Sequence, residues 1–122
     1  MRNKIFIVIT FFIIFSCNIS DTYEKLPFGG YEIDFEGGSQ NRLLKNNELI
    51  IDSGLVDCKY NDAYMLVSVD TTYSMKPEKK DKKNLKYFIQ DLKKDTIIKK
   101  ISYKDLQKII KEKSLKDIDI TN

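Results

Sequence analysis

The chain has 122 residues, with 21 basic and 18 acidic side chains and no histidine. That length suits a single domain, and 42% hydrophobic residues with only two prolines are typical of a folded protein. The lack of histidine excludes Ser-His and Cys-His catalytic pairs, histidine metal ligands and the usual proton carrier near neutral pH. The sequence therefore predicts no catalytic residues, no metal site and no cofactor.

Residues 1–16 are predicted to be a cleaved export signal. Arg2 and Lys4 precede an almost continuous apolar run from Ile5 to Phe15, which is the charge and hydropathy pattern of such signals. A helix over residues 5–16 would be about 18 Å long, whereas the hydrocarbon layer of a bilayer is about 30 Å thick. The run is therefore too short for a permanent transmembrane helix.

The apolar run ends in Ile14-Phe15-Ser16-Cys17, which resembles the lipobox of bacterial lipoproteins. The resemblance implies cleavage before Cys17 and attachment of diacylglycerol to its sulfur. Two or three acyl chains such as palmitate, at about 0.8 kcal/mol per buried CH₂, would hold the protein on a membrane. Asn18 does not match the aspartate signal for inner-membrane retention, so the outer membrane is expected where the cell has one. The alternative is an ordinary secretory signal with an unrelated cysteine.

Charge is divided unevenly along the predicted mature chain. Residues 17–70 carry four Lys or Arg against ten Asp or Glu, and residues 71–122 carry fifteen Lys against eight Asp or Glu. The two halves either intermingle in one sheet and pair their charges, or separate to leave a basic face for anionic headgroups or an acidic partner. Nucleic acid is not an expected partner, because the chain is predicted to be exported and is almost without arginine.

Residues 17–28 are predicted to be a lipidated tether, and residues 29–122 a single β-rich domain. Apolar and polar residues alternate from Tyr31 to Glu36, so Glu32, Asp34 and Glu36 are expected on a solvated face. Asn46-Asn47 is a hairpin signal between two short apolar segments. Two more strands are predicted, at Leu55–Tyr60 and Ala63–Val69; the second is apolar on both faces and should be central.

Cys58 lies within the first of these two strands, where Val56, Cys58 and Tyr60 are expected on one face. If Cys17 is acylated, Cys58 is the only thiol of the mature chain in an oxidising compartment. We expect a buried small side chain without a catalytic role.

The second half begins with an exposed loop, Lys76–Lys83, followed by a strand at Leu85–Ile89. A helix is predicted over residues 102–113, with Ser102 as its cap and Asp105 completing the capping pattern. Leu115, Ile118 and Ile120 should fasten the tail to the body. The predicted fold class is α+β, mainly β: a small antiparallel meander sheet of about five to seven strands with one C-terminal helix.

Several motifs together resemble a family of small bacterial lipoproteins of unknown function. Besides the lipobox they are Gly30-Tyr31-Glu32-Ile33, the turn and strand from Tyr60 to Leu66, and Tyr87-Phe88-Ile89-Gln90-Asp91 before a terminal helix. The resemblance covers most of the mature chain. It implies no activity, substrate or catalytic residue, and its only functional residue is the acylated Cys17.

The candidate contact residues for an anionic surface are Lys79, Lys80, Lys82 and Lys83, since a lysine near such a surface contributes about 1 kcal/mol; the alternative is a solubilising loop. Cation binding by Glu32, Asp34 and Glu36 is less favoured, because neighbours on one strand face are about 6.6–6.8 Å apart. The seven tyrosines are expected at core edges, with a tyrosine-lined contact patch as the alternative.

These observations favour a non-catalytic, lipid-anchored protein of the cell envelope that binds another envelope protein. A narrower version of this hypothesis is an inhibitor or immunity-type module. The alternatives are a small carboxylate-dependent hydrolase or glycan-binding domain, for which Asp34 is the residue to test, and a structural envelope lipoprotein.

Overall fold

The computed structural model describes residues 23–122, so the predicted signal segment and Cys17 lie outside the described residues. Within that range the chain forms eight strands and one α-helix. In chain order they are β1 (Tyr23–Lys25), β2 (Tyr31–Asp34), β3 (Arg42–Lys45), β4 (Glu48–Ile51), β5 (Leu55–Tyr60), β6 (Tyr64–Val69), β7 (Lys86–Asp91), β8 (Lys99–Ile101) and α1 (Tyr103–Glu112). The protein is α+β and mainly β, as the sequence predicts.

The strands form two antiparallel sheets of four, in the orders β1-β2-β3-β4 and β5-β6-β7-β8. The prediction of one sheet with five to seven strands was therefore wrong. The division falls at Gly54, whose φ of +79° turns the chain out of β4. A Cβ on Gly54 would lie 2.1 Å from the backbone oxygen of Asp70, so only glycine allows this close approach between the two chain segments.

Three layers result, with sheet β5-β8 in the middle. One core cluster, which includes Tyr31, Ile33, Leu43, Met65 and Val67, fills the space between the two sheets. A second core cluster lies between the other face of the middle sheet and α1 with the tail that follows it. Its members include Leu66, Leu106, Leu115, Ile118 and Ile120, so the predicted attachment of the tail is confirmed.

Strand β6 is central in the middle sheet and buried on both faces, as predicted: Met65 and Val67 face one cluster and Leu66 the other. The expectation that Val56 and Cys58 share a face was wrong. A bulge shifts the register between Leu55 and Asp57, so Val56 packs on the helix side and Cys58 on the side of the first sheet.

Local signals account for the ends of the elements. Asn46 and Asn47 have φ of 50° and 68° in the β3-β4 turn, which matches the predicted hairpin. The hydroxyl of Ser102 accepts a hydrogen bond from the backbone N–H of Asp105 at 3.1 Å, so the predicted cap of α1 is present. Helix α1 then ends beside Ser114, which has a φ of +56°.

The segment predicted as a tether contributes to the fold. Tyr23–Lys25 pair with β2 as an edge strand, and Leu26 is buried in the core between the sheets. The register places Tyr23 opposite Asp34, and Asp34 opposite Arg42. We call this end of the two sheets the Tyr23 end, and the opposite end, with Lys45, Asn46, Tyr60 and Asp91, the Asn46 end.

Candidate functional site

The most unusual connection in the chain joins β6 to β7. It has 16 residues, from Asp70 to Leu85, whereas antiparallel neighbours are usually joined by about 2–5. Val69 pairs with Lys86, so the loop starts and finishes at the Tyr23 end. Long loops in compact domains are commonly functional when they are ordered, and this one is held by specific contacts.

Asp70 organises the first part of this loop. Its carboxylate accepts hydrogen bonds from the backbone N–H of Thr72 at 2.9 Å, from the Thr72 hydroxyl at 2.6 Å and from the backbone N–H of Ser74 at 3.2 Å. Asp70 is only 2% exposed. Burial raises the pKa of its carboxyl, but these hydrogen bonds and the charge of Lys80 outweigh burial and hold the pKa below its usual value.

The organised loop presents two large side chains to solvent. Tyr73 is 69% exposed and Met75 is 83% exposed. Tyr73 also has a φ of +56°, an uncommon left-handed conformation for a residue with a bulky side chain, which costs on the order of 1–2 kcal/mol. The contacts of Asp70 on either side hold this conformation, so the two side chains are displayed from a fixed backbone.

The second part of the loop contains the predicted lysines. Lys79 and Lys83 are exposed, and Lys80 is half-buried. Lys82 is half-buried and pairs with Asp57 at 3.3 Å, while its backbone oxygen accepts a hydrogen bond from the hydroxyl of Tyr87 at 2.7 Å. Lys82 thus fastens the loop to the middle sheet, and its ammonium is already paired.

Lys83 lines a groove of about 470 Å³ at the Tyr23 end, together with Lys86 and Lys100. Tyr103 and Ser102, at the start of α1, form another side of this groove. Among residues 23–122, none of the three lysines has a carboxylate within ion-pairing distance. Lys86 and Lys100 are not among the predicted contact residues. Lys86 lies three residues after Lys83, and the antiparallel pairing of β7 with β8 brings Lys100 to the same groove.

A second, more acidic cleft of about 450 Å³ also lies at the Tyr23 end. It is lined by Glu36, Gln40, Arg42, Asp52, Ser53 and Tyr73. Beside it, Arg42 Nη2 donates to Asp34 Oδ2 at 2.9 Å and lies 3.6 Å from Glu36 Oε1. Asp34 Oδ1 and Arg42 Nε are buried and have no hydrogen-bond partner among the described residues.

The expectation of a solvated face for Glu32, Asp34 and Glu36 was wrong for Asp34. Its side chain is 1% exposed, because Arg42 on the neighbouring strand lies directly opposite and pairs with it. Strand β2 also ends at Asp34, and the alternation does not continue: Phe35 is exposed rather than buried. Asp34 is therefore poorly placed to act on a substrate.

Cys58 and two tyrosines have structural environments. The Cys58 thiol packs against the core between the sheets, and burial first, then the charges of Glu24 and Asp57, raises its pKa to about 12. Tyr31 and Tyr87 are fully buried rather than at a core edge. The Tyr31 hydroxyl donates to Gln90 Oε1 at 2.6 Å, and burial raises the pKa of Tyr87 to about 12.

No group of three or more Cys, Asp and Glu side chains in the part of the chain described by the structure is arranged to hold a metal ion. No helix within residues 23–122 is long and apolar enough to cross a membrane. Comparisons of the chain with protein-family models, with curated proteins and with solved structures give no match.

Proposed function

We propose that the protein is a lipid-anchored component of the bacterial cell envelope that binds another envelope protein without catalysing a reaction. The observation that carries the proposal is the position of Ile14-Phe15-Ser16-Cys17, which resembles a lipobox. Five residues separate its Cys17 from Tyr23, the first residue of β1. Acylation of Cys17 would hold this domain close to the membrane.

Support for a protein partner comes from the Asn46 end of the domain. Leu49, Tyr60 and Ile97 are exposed there, and the ring of Tyr60 packs edge-on against Phe28 at 5.1 Å. Lys45 donates to the backbone oxygen of Thr96, which holds the loop carrying Ile97 against the first sheet. Aromatic and aliphatic side chains displayed on a rigid surface are common anchors in protein interfaces.

Acylation is tested by labelling cells with a palmitate analogue and by mass spectrometry of the mature protein. The normal sequence should be cleaved before Cys17 and acylated, whereas Cys17→Ala should carry no label. A mature protein with a free Cys17 would contradict the proposed anchor.

Partner binding is tested by crosslinking in cells followed by purification. We expect one stoichiometric protein partner, lost from Cys17→Ala cells and reduced by Leu49→Glu with Ile97→Glu. Lys108→Glu, on the exposed face of α1, is the matched control and should leave capture unchanged. Equal capture by all of these variants would contradict the proposed surface.

A further inference from the structure

The strand registers gather distant parts of the chain at the Tyr23 end. In the first sheet this end contains Tyr23, Asp34 and Arg42. In the middle sheet it contains Leu55, Val69, Lys86 and Ile101. The backbone N–H of Gly54 donates to Ser39 O at 2.9 Å, and that of Leu55 to Asn41 O at 3.1 Å, so the corresponding ends of the two sheets meet.

Four large apolar side chains are exposed at this same end: Tyr23, Phe35, Tyr73 and Met75. Phe35 directly follows Asp34, the partner of Tyr23 in the register. Tyr73 shares a cleft with Glu36 and Arg42. A Cβ on Gly38 would lie 3.3 Å from Met75 O, which places the Met75 backbone against the turn that follows Phe35.

Lysines accompany these apolar side chains. Residues 76–86 contain six lysines and two acidic residues, and Lys82 is paired with Asp57. Lys83, Lys86 and Lys100 line one groove. Such side chains suit the boundary between anionic headgroups and acyl chains. Tyrosine and methionine offer apolar surface to the acyl chains, and lysine combines an apolar stem with a charge that pairs with the headgroups.

The chain also leaves the domain toward Cys17 at this end. Five residues separate Cys17 from Tyr23, and six Cα–Cα steps of at most about 3.6 Å limit the distance between the two Cα atoms to about 22 Å. An acylated Cys17 would therefore hold the Tyr23 end within about 22 Å of the membrane surface, and the apolar side chains and lysines described above favour this end as the one in contact.

From this convergence we propose that the Tyr23 end is a lipid-contact surface, with Tyr73 and Met75 inserted among anionic headgroups and Lys79, Lys80, Lys83, Lys86 and Lys100 paired with them. The orientation rests on the acylation of Cys17 proposed above. The proposed orientation gives the 16-residue loop between β6 and β7 a function: the loop docks the anchored domain on the membrane and leaves the Asn46 end available to a protein partner.

The test uses the full-length protein, purified from cells and reconstituted into vesicles of phosphatidylglycerol and brominated phosphatidylcholine. The natural chain has no tryptophan, so Tyr73→Trp and Met75→Trp each introduce a single indole at the proposed surface. Leu49→Trp is the control at the Asn46 end. We expect brominated lipid to quench the indole of both loop variants and to leave that of the control unchanged.

Charge is tested in the Tyr73→Trp protein by adding Lys79→Gln, Lys80→Gln and Lys83→Gln. The ratio of docked to undocked protein should fall roughly fivefold for each lysine removed, since one such contact contributes about 1 kcal/mol. Lys59→Gln, Lys93→Gln and Lys94→Gln change exposed lysines elsewhere and should leave quenching unchanged. Equal effects of the two triple variants would contradict a specific electrostatic contact.

The outcomes separate the two proposals. Mass spectrometry of the same sample reports acylation, and an unacylated protein that does not bind vesicles would overturn the proposed anchor and the orientation with it. An acylated, vesicle-bound protein in which neither loop indole is quenched would overturn only the orientation, and the Tyr23 end would then face water and be open to a protein partner. Quenching of the Leu49→Trp control alone would overturn the proposed orientation and show that the Asn46 end faces the membrane.

Discussion

Removal of the Arg42 guanidinium tests the electrostatics of the Tyr23 end most directly. Asp34 is 1% exposed, and its Oδ2 receives its hydrogen bond from Arg42 Nη2 at 2.9 Å. Asp34 Oδ1 has no partner among the described residues. Arg42→Met keeps most of the side-chain volume but leaves this buried carboxylate without a countercharge.

The magnitude follows from the burial of the pair. Breaking a buried ion pair by removing one partner typically costs about 3–5 kcal/mol. The Arg42 side chain is 36% exposed, so solvent screens part of the site and the lower part of this range applies. We therefore expect Arg42→Met to lower the free energy of unfolding by about 3–4 kcal/mol at pH 7.

Urea unfolding of the natural protein and of the Arg42→Met variant at pH 7, followed by circular dichroism, measures this difference.

Two matched variants check the interpretation. Glu36→Gln removes the exposed partner of Arg42 at 3.6 Å and should change stability by less than about 1 kcal/mol. Asp34→Asn combined with Arg42→Met removes both charges and should recover part of the loss. A loss below about 1 kcal/mol at pH 7 would refute the reasoning.

Three further predictions concern single residues. The pKa of Cys58 is about 12, so at pH 8 its thiol should react with iodoacetamide about fiftyfold more slowly in the folded protein than in urea. The thiolate fraction is much smaller in the folded protein, and this outweighs the greater nucleophilicity of a thiolate of high pKa. Equal rates would contradict the burial of Cys58. Gly54→Ala should lower the free energy of unfolding by about 2–4 kcal/mol in urea titrations, since its Cβ would meet Asp70. Asp70→Asn should cost about 1–2 kcal/mol at pH 7. Because the pKa of Asp70 is lowered on folding, its contribution is present above about pH 4 and lost as the pH falls through the folded value, so an equal difference at pH 7 and pH 2 would contradict this assignment.

Local patterns were sufficient to predict much of the fold. The two asparagines of the β3-β4 turn have the positive φ angles that a tight hairpin needs. Ser102 caps α1 through the bond that its spacing to Asp105 predicts. The apolar residues on both sides of β6 indicated a central strand, because only burial on two faces explains them.

The division into two sheets was not predictable from period-2 patterns. Strands on either side of Gly54 have the same alternation whether they continue one sheet or begin another. The separation depends on a backbone contact between Gly54 and Asp70, which are distant in sequence. The burial of Asp34 is similar: alternation assigns it to the outer face, and only the register shows that Arg42 covers it.

The candidate site was predictable in part. The composition of residues 76–83 identified a basic loop, but not that Lys82 is paired with Asp57. Lys100 becomes part of the groove only through the pairing of β7 with β8. A sequence also cannot show that Tyr73 and Met75 emerge at the end where the chain leads toward Cys17, because that coincidence depends on the register of every strand between them.

The strand order has a consequence for how the chain folds. Each sheet is built from one continuous stretch, and within each sheet every strand pairs only with its neighbours in sequence. The strand pairings therefore require few long loop closures, which favours rapid folding for a mainly β protein. A chain that is synthesised from its amino terminus can close the first sheet before the residues of the second are made, so that only the packing of the two sheets against each other remains to the end.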